Sequence, residues 1–214
     1  MGMLPAEMIP GWMTSTEISI IRKIAAMVPS GGVVLEIGAW CGRSTSAWLS
    51  GYTSSVNHIV IDHWKPDRTI GPDDLMKSCN GDPSTCQLAL DILQEDGNTR
   101  RAFDLFLGFN ADLGIPHGLN VITSNAVDFR PSFRSSVVFI DAAHDEQSTQ
   151  RLIEMHDTDT AALIMGHDFS TPWPGVISAV GRRAGGNRSL VVHANTSIWM
   201  LIPSSGMWSG LMPS

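Results

Sequence analysis

"VVLEIGAWCGRSTSAWL", Val33 to Leu49, opens as a short apolar, β-branched run, breaks at Gly38 and Gly42, and continues as a helical pattern. A strand, a glycine turn and a helix in that order make half of a βαβ unit. The turn falls at the strand's carboxyl end, where open α/β sheets bind their ligands. Against the dinucleotide fingerprint Gly-x-Gly-x-x-Gly, the stretch departs at the second glycine, where Trp40 stands. That glycine is what lets backbone approach a pyrophosphate. The spacing Glu36-x-Gly38-x-x-x-Gly42 therefore suits a ligand with a nucleoside and no pyrophosphate.

Outward from this stretch, short apolar runs alternate with helical patterns. Strands are expected at Val33–Ile37, His58–Asp62, Leu119–Thr123, Val137–Asp141, Ala161–Met165, Ser189–His193 and Ile198–Ile202. Helices are expected at Glu17–Val28, Arg43–Ser50, within Thr99–Leu113, at Glu146–Met155 and at Val176–Arg183. Thr14, Ser15 and Thr16 offer a cap before the first helix, and "PSGG" stops it. The last two strands are separated only by Ala194-Asn195-Thr196-Ser197, which reads as a hairpin. The fold class that follows is α/β: a Rossmann-like, doubly wound sheet of about seven strands, mostly parallel with a C-terminal antiparallel hairpin.

The chain has 214 residues, enough for a single domain with one sizeable core. A polar, turn-rich insertion at about 63–118, "KPDRTIGPDDLMKSCNGDPSTCQ" within it, reads as an irregular lid-like excursion. Net charge is −7 with no basic block, so no nucleic acid is expected as a partner. No apolar run approaches the roughly 20 residues that span a bilayer, so no membrane is expected either. The N-terminus lacks the pattern of a signal peptide, and three cysteines make no even framework. The reading is a cytoplasmic protein with reduced thiols, the alternative being a Cys79–Cys86 pair across a short loop. Trp208, Leu211 and Met212 make the tail apolar. They suit a contact with a second copy of the chain or a cover over the site, against the default of a frayed end.

Asp62 ends the second strand, 20 residues after Gly42. In such folds an acidic residue there accepts hydrogen bonds from ribose hydroxyls. "LEIGAWCGRSTSAWL", "VVFIDAAHDEQSTQRLI" and "ALIMGHDFSTPWPGVISAV" together resemble class I S-adenosylmethionine-dependent methyltransferases. The resemblance is to the branch of small-molecule O-methyltransferases of the macrocin and catechol types. It implies that Glu36, Gly38, Ala39, Trp40, Gly42, Ser44 and Thr45 line the methionine and ribose part of the cofactor. Asp62 and His63 would take the ribose, Ser124, Asn125 and Ala126 the adenine, and Asp141 the cofactor's amino group.

Asp141, His144 and Asp168 are placed at the ends of adjacent strands, on the same edge as Gly38. Methyl transfer to oxygen requires the acceptor to lose a proton, and two devices supply this. A divalent ion lowers the hydroxyl's pKa, for which Asp141 and Asp168, with His167 beside them, are candidate magnesium ligands. Alternatively His144 takes the proton, with Asp141 beside it as the second catalytic candidate. Metal-dependent relatives carry a third oxygen ligand next to the second aspartate, whereas here His167 precedes Asp168 and Phe169 follows it. No Asn/Asp-Pro-Pro-Tyr/Phe segment follows the fourth strand, which argues against adenine or glutamine amino groups as acceptors. The partner is therefore expected to be a small molecule or sugar bearing a hydroxyl. Its identity would be set by the insertion, the N-terminal arm and the tail. A nucleotide- or NAD-dependent enzyme, an N-methyltransferase and a non-catalytic binding protein are the competing readings.

Overall fold

A computed structural model describes residues 2–65, 73, 76, 79–108, 118–157 and 162–211. Seven strands, β1 (Val33–Ile37), β2 (Asn57–Asp62), β3 (Leu119–Thr123), β4 (Val137–Ile140), β5 (Leu163–Gly166), β6 (Arg188–Val192) and β7 (Trp199–Pro203), form one sheet in the order β3-β2-β1-β4-β5-β7-β6. β1 to β5 pair in parallel, and β7 inserts antiparallel between β5 and β6. The order reverses at β1–β4, which places a crevice above the carboxyl ends of those two strands.

Helices cover both faces. Strand alternation divides β1 between them. Val34 faces the layer of α1 (Ser15–Met27) and α2 (Arg43–Gly51), packing with Ile18, Ile21, Ile24 and Trp48. Leu35 and Ile37 face α5 (Glu146–His156) and α6 (Pro174–Arg183), with Leu152, Ile153, Val176 and Val180. Each of these fully buried aliphatic side chains contributes roughly 1.5–3 kcal/mol. Thr14 caps α1 through a reciprocal capping box with Glu17. Asn195, with φ +59°, turns the β6–β7 hairpin.

Two features differ from the sequence expectation. The insertion is not irregular throughout: it contains α3 (Pro83–Asp96), followed by α4 (Arg100–Phe106). Asp82 accepts hydrogen bonds from Ser84 N and Thr85 N and Pro83 stands in the first turn, so the residues read as a turn are a helix cap. Ala89 and Ile92 then pack in one cluster with Phe103, Phe106 and Val60, roofing β2. The tail also folds back: Trp208 is 1% exposed and its Nε1 donates to the Ser136 carbonyl, so it belongs to this chain's own core. Met212, the segment from 109 to His117 and Ala161 lie outside the described residues. Cys79 and Cys86 are free thiols with their sulfurs 3.6 Å apart. Among the described residues no helix is long and apolar enough to cross a membrane.

Residues 10–13 of the N-terminal arm cross the front of the crevice as a strap. Arg43, 5% exposed, donates to the carbonyls of Glu7, Ile9 and Met13. Asn80 pairs with Gly11 through both backbone groups and donates its amide to the Trp12 carbonyl.

Candidate functional site

The crevice has a volume of about 870 Å³, within the range that holds a drug-sized ligand. Its floor is the turn after β1. Trp40 has φ +48°, a strained value for a bulky side chain, and neighbouring groups hold it there. Asp62 Oδ2 accepts from Ala39 N (2.8 Å) and Trp40 N (3.0 Å), Asp62 Oδ1 accepts from Trp64 N, and the Trp12 ring lies 4.7 Å from the Trp40 ring. Asp62 lines the crevice, and its first task is to brace the turn. It keeps one lone pair on Oδ1 for a hydroxyl.

Gly38, Ala39, Trp40, Ser44, Asp62, His63, Ser124, Asn125, Ala126 and Asp141 all border this crevice, as do His144, His167 and Asp168. Three of the expected cofactor residues do not. Glu36 is fully buried, because alternation along β1 turns position 36 under α2 and away from the strand's end. Its carboxylate is occupied by the hydroxyls of Ser44 and Thr45 (2.8 Å to Thr45) and by His58 Nε2 at 2.7 Å. Thr45 is likewise fully buried against it. Gly42, at φ +92°, faces the insertion: a Cβ there would meet Phe103 and Leu107 at 3.0 and 3.1 Å. These three shape the turn from behind.

At the other end, β4 and β5 deliver a cluster of ionisable groups. Asp168 takes a left-handed backbone (φ +65°), which aspartate tolerates better than most residues. His144 Nε2 donates to Asp168 Oδ2 at 2.8 Å, and its ring stacks on Trp173 with centroids 4.1 Å apart. His167 Nδ1 lies 3.1 Å from Asp168 Oδ1 and 3.8 Å from Asp141 Oδ1. Burial alone would lower both histidines. The carboxylates reverse this, raising His144 above its usual value through Asp168, and His167 well above it through Asp141, Asp168 and Glu17. Burial would likewise raise Asp168, but bonds from the two histidines hold it below the usual carboxylate range. Asp141 keeps the burial effect and is pushed up to about 7; its 24% exposed surface opens onto the crevice.

Asp141, His167 and Asp168 bring one donor atom each to within 4.8 Å of one another, the geometry a metal would need. The donor chemistry does not fit magnesium. Both Asp168 oxygens are taken by histidines, and the third donor is an imidazole nitrogen, whereas magnesium demands an oxygen octahedron. The expected metal ligands are instead joined to one another, the two histidines lying between the carboxylates of Asp141, Asp168 and Glu17.

Glu17 was expected only as a helical residue. It is 3% exposed, accepts from Ser197 N and Oγ, and places Oε1 3.4 Å from His167 Nε2. Only its capping-box half is readable from sequence.

The chain is similar in structure to the S-adenosylhomocysteine-bound methyltransferase PaMTH1 of Podospora anserina, at 12% identity, covering 88% of this chain and 77% of that one with a TM-score of 0.53. It is similar to the ribosomal protein L11 methylase of Lactobacillus delbrueckii subsp. bulgaricus at 11% identity, covering 87% and 76% with a TM-score of 0.50. At these identities the likeness is one of fold. No protein-family model matches the chain, and no curated protein sequence matches it.

Proposed function

We propose that this chain is an S-adenosylmethionine-dependent O-methyltransferase acting on a hydroxyl of a small molecule or sugar, with His144 as general base and no metal ion. The observation that carries the reading is the shared crevice: the Asp62-braced turn at one end and the His144–Asp168 pair at the other, on one sheet edge. The residues fit the cofactor. Asp62, Ser124 and Asn125 offer polar groups at the nucleoside end, and the acidic wall at Asp141 suits a cation. When bound, S-adenosylmethionine supplies a methyl group on a positively charged sulfur.

The protein's own residues do the rest. His144 donates from Nε2 to Asp168, which fixes the ring and leaves Nδ1 as the nitrogen able to take a proton. Trp173 holds the ring flat by stacking. The strap and Leu93 of α3 narrow the crevice and keep water from the acceptor, so the insertion and the arm together form its wall.

The first test is calorimetry with S-adenosylmethionine, NAD and ATP. Only the first should bind, and EDTA should change neither its affinity nor turnover. Binding of NAD in its place, or loss of turnover on chelation that magnesium restores, would overturn the reading. A second expectation follows from Asp141. Raised to about 7, it is neutral in acid and ionised above that. S-adenosylmethionine should therefore bind more tightly as pH rises, by up to about tenfold per unit below neutrality, the limit for one linked proton. S-adenosylhomocysteine shares the dependence if Asp141 holds the amino group, and lacks it if Asp141 faces the sulfur. Affinity flat in pH for both ligands removes Asp141 from the cofactor site.

A further inference from the structure

We infer that Glu17, at the N-terminus of α1, is a positioning residue for His144, acting through His167 and Asp168. The inference rests on the reading of His144 as the base. The geometry is a chain of four side chains from three separate elements: Glu17 Oε1 to His167 Nε2 at 3.4 Å, His167 Nδ1 to Asp168 Oδ1 at 3.1 Å, and Asp168 Oδ2 to His144 Nε2 at 2.8 Å. The first separation is an ion-pair distance without hydrogen-bond geometry, and among the described residues His167 Nε2 has no hydrogen-bond partner. Among the described residues, Glu17 is thus the charged group that the inner nitrogen of His167 faces.

Glu17 itself cannot move freely. Oε2 accepts from Thr14 N and Oγ1, while Oε1 accepts from Ser197 N and Oγ in the β6–β7 turn. A helix cap needs only the first pair. The second pair ties the start of α1 to the hairpin and aims Oε1 at the histidine. His167 is fixed from its backbone too, since its carbonyl accepts from Trp199 Nε1 at 2.9 Å. With both ends of the imidazole held between carboxylates, Asp168 is left one oxygen for His144 and one orientation in which to present it. A base in turn aligned by a second and third group is a recurring way of fixing which nitrogen is free. Glu17 touches no part of the crevice and acts only through the others.

Two substitutions separate positioning from helix capping. Glu17→Gln keeps the size and one acceptor oxygen, enough for either the Thr14 pair or the Ser197 pair, and removes the charge facing His167. Thr14→Ala removes the cap and leaves Glu17 ionic. Both should lower the melting temperature. The discriminating readout is the ring nitrogen resonances of His144 and His167 in the isotopically labelled free protein. Glu17→Gln should shift both sets, His144 included, although His144 is two links away, while Thr14→Ala should leave them in place. If Glu17→Gln leaves His144 unmoved, or Thr14→Ala moves it equally, Glu17 is a cap and nothing more. Should Glu17→Gln fail to fold, Ser197→Ala, which loosens the same oxygen, carries the test: His144 must move or the inference falls. Calorimetry with S-adenosylmethionine on the wild type is run alongside. Absence of binding there overturns the methyltransferase reading, while the ring signals still decide whether Glu17 sets His144.

Discussion

His144→Ala should lower methyl transfer by roughly 10²–10⁴-fold while leaving S-adenosylmethionine affinity close to wild type, the loss expected on removing a general base. Release of S-adenosylhomocysteine, with an acceptor found by screening phenols and sugar hydroxyls, measures the rate; calorimetry measures the affinity. The pH profile gives the mechanism. His144 is raised above its ordinary value by Asp168, and a base works only when unprotonated, so turnover should rise with pH through that raised value. Asp168→Asn removes the cause, moving the rise to lower pH while slowing the plateau, since the ring loses its anchor. Retention of full activity by His144→Ala would leave only alignment of donor and acceptor as the source of rate.

Gly38→Ala should damage the fold more than any other single methyl added at the turn. The Cβ would fall 2.0 Å from the Asp141 carbonyl oxygen, which is backbone at the end of β4 and cannot step aside, and φ is +83°. The clash and the backbone strain together place the cost at about 3–5 kcal/mol, the range of severe single substitutions. At roughly 2–4 °C per kcal/mol for a domain of this size, the melting temperature should drop by about 10 °C. Gly42→Ala is the comparison: its Cβ meets only side-chain carbons of Phe103 and Leu107, which can shift. A Gly38→Ala protein melting within about 2 °C of wild type would refute this account of the turn. It follows that weak ligand binding in a Gly38 variant measures the loss of the sheet edge before it measures any contact with the ligand.

The sheet was legible because β-branched runs bounded by turn formers leave few alternatives, and the hairpin because only a short turn-forming stretch, with Asn195, Thr196 and Ser197 in it, separates its strands. The carboxyl-edge residues Asp62, Asp141, His144 and Asp168 were legible for the same reason: a strand's end marks a place in a parallel sheet. Glu36 was misplaced although the signal was there. Val34 and Glu36 share one face by simple alternation, and that face is covered by α2. Helix α3 was missed because Asp82-Pro83 was read as a turn, when an aspartate cap and a first-turn proline are equally a helix start, with Cys86, Ala89 and Leu90 at helical spacing after it. The link from Glu17 to Ser197 spans 180 positions and leaves no local trace.

That link, and the strap, also order events in time. Gly11 leaves the ribosome early, yet its partner Asn80 follows 69 residues later, and Glu17 waits for Ser197. A nascent chain can pair β1 with β2 as soon as residue 62 has emerged, but none shorter than about 197 residues has the α1 terminus tied to the catalytic edge. The crevice lining is complete once Trp173 has emerged, so a chain stalled between there and Ser197 carries that lining without β7 and without the link that aims Glu17 at His167.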